Sequence, residues 1–414
     1  MDASAPHEVL VVGGGPAGSS TAMALARAGL RVTLVDRARF PRTKPCAEYL
    51  SPECSRILAS MQVLAGIERS GAAQLAGMRL RAPDGTTFAG GFVAGHGYRG
   101  FRDRGLSLPR RDLDAILLGA ARDAGVTVRE GWRTRDLLRD RSGRVAGVIG
   151  TDDTGRVESL RASLVIGADG LRSFVARGLR LQHRAHRPAR YAMTAHYTGV
   201  QGIDDHGEMH VEADGYVGFA DVGGGRTNVA LVVPARVLAS SHDGAARFLD
   251  GWLASHAHLA ERFRDATRVS AVQSTGPFAS RARRVWAPGA ALVGDAAEYF
   301  DPFTGEGIYT ALRGGELLAP FALTAVRART AAAADAALAG YAAAHAREFR
   351  GKRIVERLIA LAVSSPWLFD RVAHVLARRR EMADLLVGVA GDFVPPSAVL
   401  RPRFLYDLLR PAPR

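Results

Sequence analysis

Near its start the chain carries three glycines at a spacing suited to binding phosphate, Gly13, Gly15 and Gly18. They follow an apolar run, residues 9–12, of the kind that forms a parallel strand buried on both faces. In the G-x-G-x-x-G pattern one glycine permits a tight turn, one lets the backbone approach a pyrophosphate, and one allows close packing of helix on strand. The helix predicted over 19–28 would direct free N–H groups and a partial positive charge at that pyrophosphate.

An acidic residue stands where the ribose of such a ligand would lie. Gly29 ends the predicted helix, residues 31–35 form a second strand, and Asp36 follows, 18 positions after Gly18. A carboxylate at this place binds the ribose hydroxyls of an adenosine. A lone glycine motif also occurs in turns that bind nothing, but the order strand, turn, helix, strand and acid favours an ADP-containing dinucleotide.

Two further segments distinguish between the dinucleotides. Residues 164–173 (LVIGADGLRS) form a buried strand that ends in a glycine turn, and residues 290–315 (AALVGDAAEYFDPFTGEGIYTALRGG) form a third strand that runs into a glycine-rich loop. Together the three segments resemble the fingerprints of the flavoprotein hydroxylase superfamily, which has the para-hydroxybenzoate hydroxylase fold. The loop at 302–308 and the stretch PRTKPCAEYLSP at 41–52 most resemble its geranylgeranyl reductase branch. The resemblance implies bound FAD, with NADPH or NADH docking transiently as the reductant.

The resemblance also implies roles for individual residues. Asp295 would bond the ribityl chain of FAD, and the helix that begins near Ile308 would direct its positive end at the flavin edge where negative charge gathers on reduction. Arg110 resembles the arginine that grips the flavin phosphates, for which a guanidinium is well suited; a solvated arginine at a helix start is the alternative. Asp169 and Gly170 belong to the middle fingerprint, with an ordinary β-turn as the alternative. The expected cofactor contacts are Gly13, Gly15, Pro16, Ala17, Gly18, Asp36, Arg37, Arg42, Lys44, Cys46, Arg110, Asp169, Gly170, Gly294, Asp295, Pro302, Gly305, Glu306, Gly307 and Ile308.

Four side chains lie in stretches expected to border the substrate pocket and are candidates for catalysis: Cys46, Glu48, Tyr216 and His210. A structural role is the alternative for each, since a lone cysteine is commonly a small buried hydrophobe. The reductase branch commonly has glycines after this cysteine, where the chain has Ala47 and Glu48. No catalytic acid or base is assigned from the sequence, and no metal site is expected.

The reaction stays open between two chemistries. The favoured expectation is an NAD(P)H-driven FAD oxidoreductase that transfers hydride to a C=C bond of a hydrophobic substrate, whether prenyl, polyketide or aromatic. The alternative is a monooxygenase that hydroxylates or epoxidises an aromatic or polyketide-like ring through a C4a-hydroperoxyflavin, and a second alternative is a non-catalytic flavin-binding regulator. Prenyl reductases of the branch carry a tryptophan where this chain has Gly218, which puts a polyprenyl substrate in question and does not favour halogenation.

The predicted fold is α/β: a Rossmann-like FAD-binding domain with an inserted antiparallel-sheet substrate domain and a C-terminal helical region. Strands with Gly and Asp turns between them indicate the antiparallel sheet, and Ala-rich segments broken by prolines indicate the helices. The expected segments are FAD-binding parts at 1–75, 101–185 and 276–330, an excursion towards the substrate domain at 76–100, the substrate domain at 186–275, and the helical region at 331–414.

Composition limits the partners. Lys and Arg outnumber Asp and Glu by 55 to 41, but the arginines are spread through the chain without the interleaved aromatics of a single-strand binder, so no nucleic-acid partner is expected. Two cysteines, Cys46 and Cys54, are too few for a disulfide scaffold. No signal peptide or spanning segment is recognised, which predicts a cytoplasmic protein. An arginine-flanked apolar segment near the C-terminus raises peripheral membrane contact, with a helical cap on the core as the alternative; the oligomeric state stays open.

Overall fold

The computed structural model describes residues 7–93, 96–184, 189–239, 244–278, 280–299 and 301–409. The helices are α1 (Pro16–Arg27), α2 (Pro52–Ser60), α3 (Leu64–Arg69), α4 (Arg110–Asp123), α5 (Phe174–Gly178), α6 (Ala235–Ala239), α7 (Ala245–Ser255), α8 (Ala257–Arg262), α9 (Gly307–Arg327), α10 (Ala331–Val363), α11 (Pro366–Arg378), α12 (Arg380–Ala390) and α13 (Pro402–Leu409), with 3₁₀ turns at Gly294–Ala296, Pro302–Thr304 and Pro396–Ala398.

The strands form two large sheets and two small ones. They are β1 (His7–Val12), β2 (Val32–Val35), β3 (Tyr49–Leu50), β4 (Ala73–Leu75), β5 (Gly77–Arg81), β6 (Thr87–Gly91), β7 (Gly105–Ser107), β8 (Thr127–Arg129), β9 (Arg133–Arg139), β10 (Val145–Thr151), β11 (Val157–Gly167), β12 (Gln182–Arg184), β13 (Arg190–Thr198), β14 (His206–Glu212), β15 (Gly215–Asp221), β16 (Thr227–Pro234), β17 (Thr267–Arg268), β18 (Gln273–Thr275), β19 (Ser280–Ala282), β20 (Trp286–Ala287), β21 (Ala290–Leu292) and β22 (Glu298–Tyr299).

The first large sheet brings the three glycine segments to one edge. Its order is β20-β21-β11-β1-β2-β8, and β21, β11, β1, β2 and β8 run parallel. Val12 is in register with Val35 and Gly167, and Gly167 with Leu292, so these strands end at the same level. Ligands of open α/β sheets bind beyond the carboxyl ends of such strands, and the turns after β1, β11 and β21 meet there.

The second large sheet has the order β17-β13-β16-β15-β14-β5-β6 and is antiparallel except where β14 runs parallel to β5. Its side chains alternate between two apolar clusters. Met209 and Tyr216 face α11 and α12, whereas Val217 and Phe219 face α7 and α8. Strands β5 and β6 lie within the predicted excursion and join this sheet.

The C-terminal helices pack across both sheets. Tyr341 of α10 donates a hydrogen bond to Leu292 O at 2.9 Å, and Asp384 of α12 accepts one from Gly91 N at 2.8 Å. Among the described helices, none is sufficiently long and apolar to cross a bilayer. The predicted fold class is confirmed. The segment boundaries stay predictions, and the one at 185/186 lies outside the described residues.

Candidate cofactor and active site

The turn after β1 is shaped to expose the start of α1. Gly13 has φ +108°, a conformation that favours glycine. A side chain at Gly18 would overlap the carbonyl of Gly13, so this glycine permits α1 to approach the turn closely. Gly15, Pro16 and Ala17 line the adjoining cleft. Their position leaves the positive end of the α1 dipole facing the cleft, as a phosphate group requires.

Two arginines lie beside this turn, at a corner of the cleft that is predicted to bind phosphate. Arg110 Nε and Nη2 each donate to the Asp114 carboxylate at 2.8 Å, and Arg42 Nη1 lies 2.9 Å from Asp114 Oδ2. A Cβ on Gly15 would lie 3.6 Å from Arg42 and 3.8 Å from Arg110. Burial acts to lower the pKa of Arg110, but Asp114 and the Cys46 thiol outweigh it and raise that pKa. The Arg110 guanidinium therefore stays charged beside the turn.

One donor in this corner lacks an acceptor among the described residues. Arg42 Nη1 is buried, and despite its closeness to Asp114 it makes no aligned hydrogen bond. A buried N–H without an acceptor is costly in free energy. A phosphate oxygen would supply the acceptor, so the corner fits the diphosphate of FAD.

The turn after β21 carries a second charged pair. Asp295 lies in the 3₁₀ turn after this strand, 3.9 Å from Lys44 Nζ. A Cβ on Gly170 would lie 3.4 Å from the same nitrogen. Gly170, Lys44, Gly294 and Asp295 all line the cleft. The structure thus brings residues from three predicted motifs together, and their cofactor contacts stay predictions.

The loop before α9 is tied to the antiparallel sheet. Asp301 accepts hydrogen bonds from Phe303 N at 3.1 Å, from Tyr216 Oη at 2.6 Å and from Arg190 Nη1 at 3.1 Å. Burial and Asp301 together raise the pKa of Tyr216 well above its ordinary value. Tyr216 keeps its proton and acts through Asp301, so its place is that of a positioning residue. Pro302, Gly305, Glu306, Gly307 and Ile308 line the cleft.

Glu306, at the start of α9, belongs to a buried ion pair. Its Oε2 accepts from Lys352 Nζ of α10 at 3.0 Å, and Lys352 also pairs with Asp392. The Lys352 ammonium lies 4.6 Å from the centre of the Tyr309 ring. Burial raises the pKa of Glu306 while Lys352 acts to lower it. This ion pair attaches the C-terminal helices to the helix end that faces the cleft.

Glu48 holds its backbone in a conformation typical of glycine, with φ +61°. Its carboxylate accepts from Arg110 N at 2.8 Å and from Asn228 Nδ2 at 3.0 Å, and lies 2.6 Å from His196 Nε2. These partners occupy both oxygens, which gives Glu48 a structural role at the cleft wall. Cys46 lines the cleft, and its Sγ lies 3.3 Å from Glu48 N.

Two predicted residues are turned away from the cleft. His210 lies 2.9 Å from Glu208 and packs on Phe219, on the sheet face under α7 and α8. Alternation along β14 directs Met209, not His210, to the inner face, which corrects the expectation that His210 borders the pocket. Asp169 likewise faces α5, where it accepts from Ser173 Oγ at 2.5 Å and from Phe174 N at 2.5 Å.

The residues predicted to bind the adenosine of FAD are less enclosed than those beside the α1 turn. Asp36 Oδ2 accepts from Gly14 N at 2.6 Å and Oδ1 from Ala38 N at 2.8 Å, which fixes the carboxylate beside the glycine turn. Arg37 is exposed and does not line the cleft.

Sequence reasoning missed several residues of the site. Asp114 had a signal, because it stands four residues after Arg110 on a predicted helix, where side chains meet. No local sequence pattern pointed to the other residues, since their partners lie far away in the chain. These residues are His196, Asn228, Asp301, Lys352 and Glu356.

The cleft has two compartments. The larger encloses about 1430 Å³, including space open to solvent, and runs from the α1 turn to α10. The smaller, about 430 Å³, shares Ala47, Tyr49, Pro302, Thr304 and Gly305 with it. Its other walls include the apolar side chains of Leu75, Met78, Met209 and Phe303 beside Glu208 and Asn228, with Gly218 opening space in the sheet.

Comparisons with known proteins agree with this geometry. Residues 7–356 match the FAD binding domain family. A digeranylgeranylglycerophospholipid reductase of Methanopyrus kandleri is 32% identical over 334 residues, 77% of this chain and 77% of that protein. A menaquinone reductase of Mycolicibacterium smegmatis is 28% identical over 400 residues, 94% of this chain and 92% of that protein.

A solved structure shows the same fold. A geranylgeranyl bacteriochlorophyll reductase-like protein from Thermoplasma acidophilum superposes with a TM-score of 0.78 at 22% identity, over 97% of this chain and 99% of that one. The chain belongs to the FAD binding domain family and is an FAD-dependent oxidoreductase of the para-hydroxybenzoate hydroxylase fold, similar to the geranylgeranyl reductase branch.

Proposed function

We propose that this oxidoreductase uses NAD(P)H to saturate a C=C bond in the isoprenoid chain of a lipid or quinone. Bound FAD would supply hydride transfer, taking a hydride from the nicotinamide and passing it to one carbon of the double bond. The other carbon requires a proton. The names of the two reductases similar in sequence support this substrate class.

The apolar smaller compartment is the observation that carries the proposal. It meets the larger compartment at the Pro302–Gly305 loop, directly before the α9 N-terminus. An isoprenoid chain in this compartment would lie beside the flavin edge, and Gly218 leaves room where a tryptophan would fill the wall. The Tyr216–Asp301 bond holds the shared loop in place.

The proton has a candidate source in the larger compartment. Glu356 of α10 lines it, and burial together with the nearby carboxylates of Glu306 and Glu298 raises the pKa of Glu356 to about 8. His345 also lines it, but burial lowers the pKa of this imidazole to about 4. At neutral pH Glu356 therefore carries a proton and His345 does not. We assign Glu356 the role of proton reservoir for the second carbon.

Replacing Glu356 with glutamine is expected to lower kcat at pH 7 about 10- to 100-fold. This range lies at or below the usual contribution of a general acid to the rate. The wild-type rate would fall as pH rises through about 8, and the variant's residual rate would not. The unfolding free energy also falls as pH rises, but over a lower pH interval than the rate. The native state keeps a proton that the unfolded state loses above its ordinary pKa of 4.5, so the wild type loses stability between pH 4.5 and about 8.

The Glu356→Gln variant would not lose stability in this way between pH 4.5 and about 8. The difference between its unfolding free energy and that of the wild type would therefore grow by about 2–4 kcal/mol over this interval. Chemical denaturation from pH 5 to 9 and steady-state pH profiles measure the two effects. Glu381→Gln, at an exposed position of α12, is the control. An unchanged pH–rate profile would remove Glu356 from the mechanism.

The reaction is tested with FAD-loaded protein, NADPH or NADH, and either a geranylgeranylated glycerolipid or menaquinone. Without oxygen, mass spectrometry should show products heavier by two hydrogens per double bond. A parallel incubation under labelled dioxygen tests the monooxygenase alternative, since label in the product would contradict the proposal.

A further inference from the structure

Helix α10 presents opposite faces to the cleft and to solvent. His345, Phe349, Lys352 and Glu356 recur at helical spacing and line the larger compartment. On the other side Ile354 is 39% exposed, Leu358 41% and Leu361 58%. At about 100° per residue these three lie within one narrow arc, roughly opposite the cleft-lining face.

Arginines share the outer face. Arg347, Arg350 and Arg357 fall within about 100° of arc with the three aliphatic residues, and all three are exposed. None has an ion-pair partner among the residues that the structure describes. Acidic residues of this stretch, Glu348 and Glu356, lie outside that arc.

Further exposed apolar side chains lie on the helices that follow α10. Trp367 is 71% exposed at the start of α11, and Leu409 is 51% exposed at the end of α13. Arg371 joins them: its guanidinium lies 5.9 Å from the centre of the Trp367 ring, and its Nε donates to Leu409 O at 3.0 Å. Of the ten large hydrophobic side chains that are exposed in the described chain, six lie between residues 354 and 409.

We propose that this surface, comprising the outer face of α10 with Trp367 and Leu409, docks on an anionic phospholipid bilayer. Exposed aliphatic side chains and an indole would enter the head-group region, while unpaired arginines would bind lipid phosphates. A second copy of the chain fits less well, because a two-fold interface would oppose these arginines to one another. The opposite face of the same helix lines the cleft, so on docking α10 would lie between the cleft and the bilayer. The surface does not depend on the proposed reaction.

Vesicle sedimentation of the FAD-loaded protein tests the proposal. Binding should be strong to phosphatidylcholine vesicles containing half phosphatidylglycerol and weak to pure phosphatidylcholine. Leu358→Asp with Leu361→Asp should weaken binding to the anionic vesicles at least about tenfold. Arg350→Gln with Arg357→Gln should weaken it about fivefold for each charge removed. Trp367 fluorescence should shift to the blue on binding. Trp367→Phe should abolish most of that shift, since Trp132 and Trp252 are buried and Trp286 is half-buried in the first large sheet.

A matched control surface lies on β11, where Val157 is 66% exposed between the exposed Arg156 and Arg161. Val157→Asp, and Arg156→Gln with Arg161→Gln, should leave vesicle binding unchanged. Equal weakening by the β11 variants, or equal binding to neutral and anionic vesicles, would overturn the proposal. So would light scattering that shows a dimer which Leu358→Asp with Leu361→Asp dissociates. The sedimentation and fluorescence experiments measure membrane binding and do not measure turnover. A negative result would therefore contradict the docking proposal and leave the proposed reductase activity untested.

Discussion

Replacing Gly18 with alanine is expected to weaken FAD binding about 10- to 100-fold and to yield protein that loses its yellow colour on gel filtration. The added Cβ would overlap the Gly13 carbonyl and lie 3.2 Å from Ala168 Cβ. Because both neighbours belong to buried strand ends, α1 must move away from the turn. Its N–H groups would then no longer meet the pyrophosphate. Bound-flavin absorbance and calorimetric titration of apoprotein with FAD measure the effect.

The matched control is Gly119→Ala. Gly119 also lies in a helix, α4, but a Cβ there has nothing within 4 Å. This variant should bind FAD as the wild type does and gain up to about 1 kcal/mol of stability from helix propensity. Equal FAD affinity of Gly18→Ala and Gly119→Ala would contradict the assignment of the α1 turn to the pyrophosphate.

Replacing Asp114 with alanine is expected to lower the unfolding free energy by about 3–5 kcal/mol, because two guanidinium groups would remain buried without their carboxylate. The side chains of Asp114 and Arg110 are 0% and 6% exposed, so solvent screens them little. FAD affinity should also fall, since Arg42 and Arg110 would no longer be held beside Gly15. Added FAD should therefore restore less stability to the variant than to a neutral cavity mutant that keeps its FAD affinity, because stabilisation by a ligand follows its affinity.

Asp123→Ala serves as the control on the same helix, since Asp123 is exposed. Urea unfolding with and without FAD gives both quantities. A free-energy loss below about 1 kcal/mol for Asp114→Ala would show that the two arginines do not depend on this carboxylate. Inorganic pyrophosphate, added in place of FAD, would test whether the phosphates alone provide the stabilisation.

The phosphate corner was predictable from the sequence because its geometry is local. An apolar run, a glycine spacing and a following helix specify one strand–turn–helix unit, and the backbone makes most of its contacts. The turns after β11 and β21 were predictable for the same reason. Parallel strands end at a common edge, so three local motifs suffice to bring their glycine turns together there.

The chemistry of the cleft walls depends on residues far apart in the chain. Glu48 meets His196 across 148 positions, and Tyr216 meets Asp301 across 85. No local pattern distinguishes a glutamate held at positive φ by such partners from a surface carboxylate, and strand alternation alone did not reveal that His210 faces outward. Burial in the cleft wall and the distant carboxylates of Glu306 and Glu298 likewise raise the pKa of Glu356, whose own sequence neighbourhood is that of an ordinary amphipathic helix. Side-chain ionisation and orientation follow from packing between distant segments, which exists only in the folded chain.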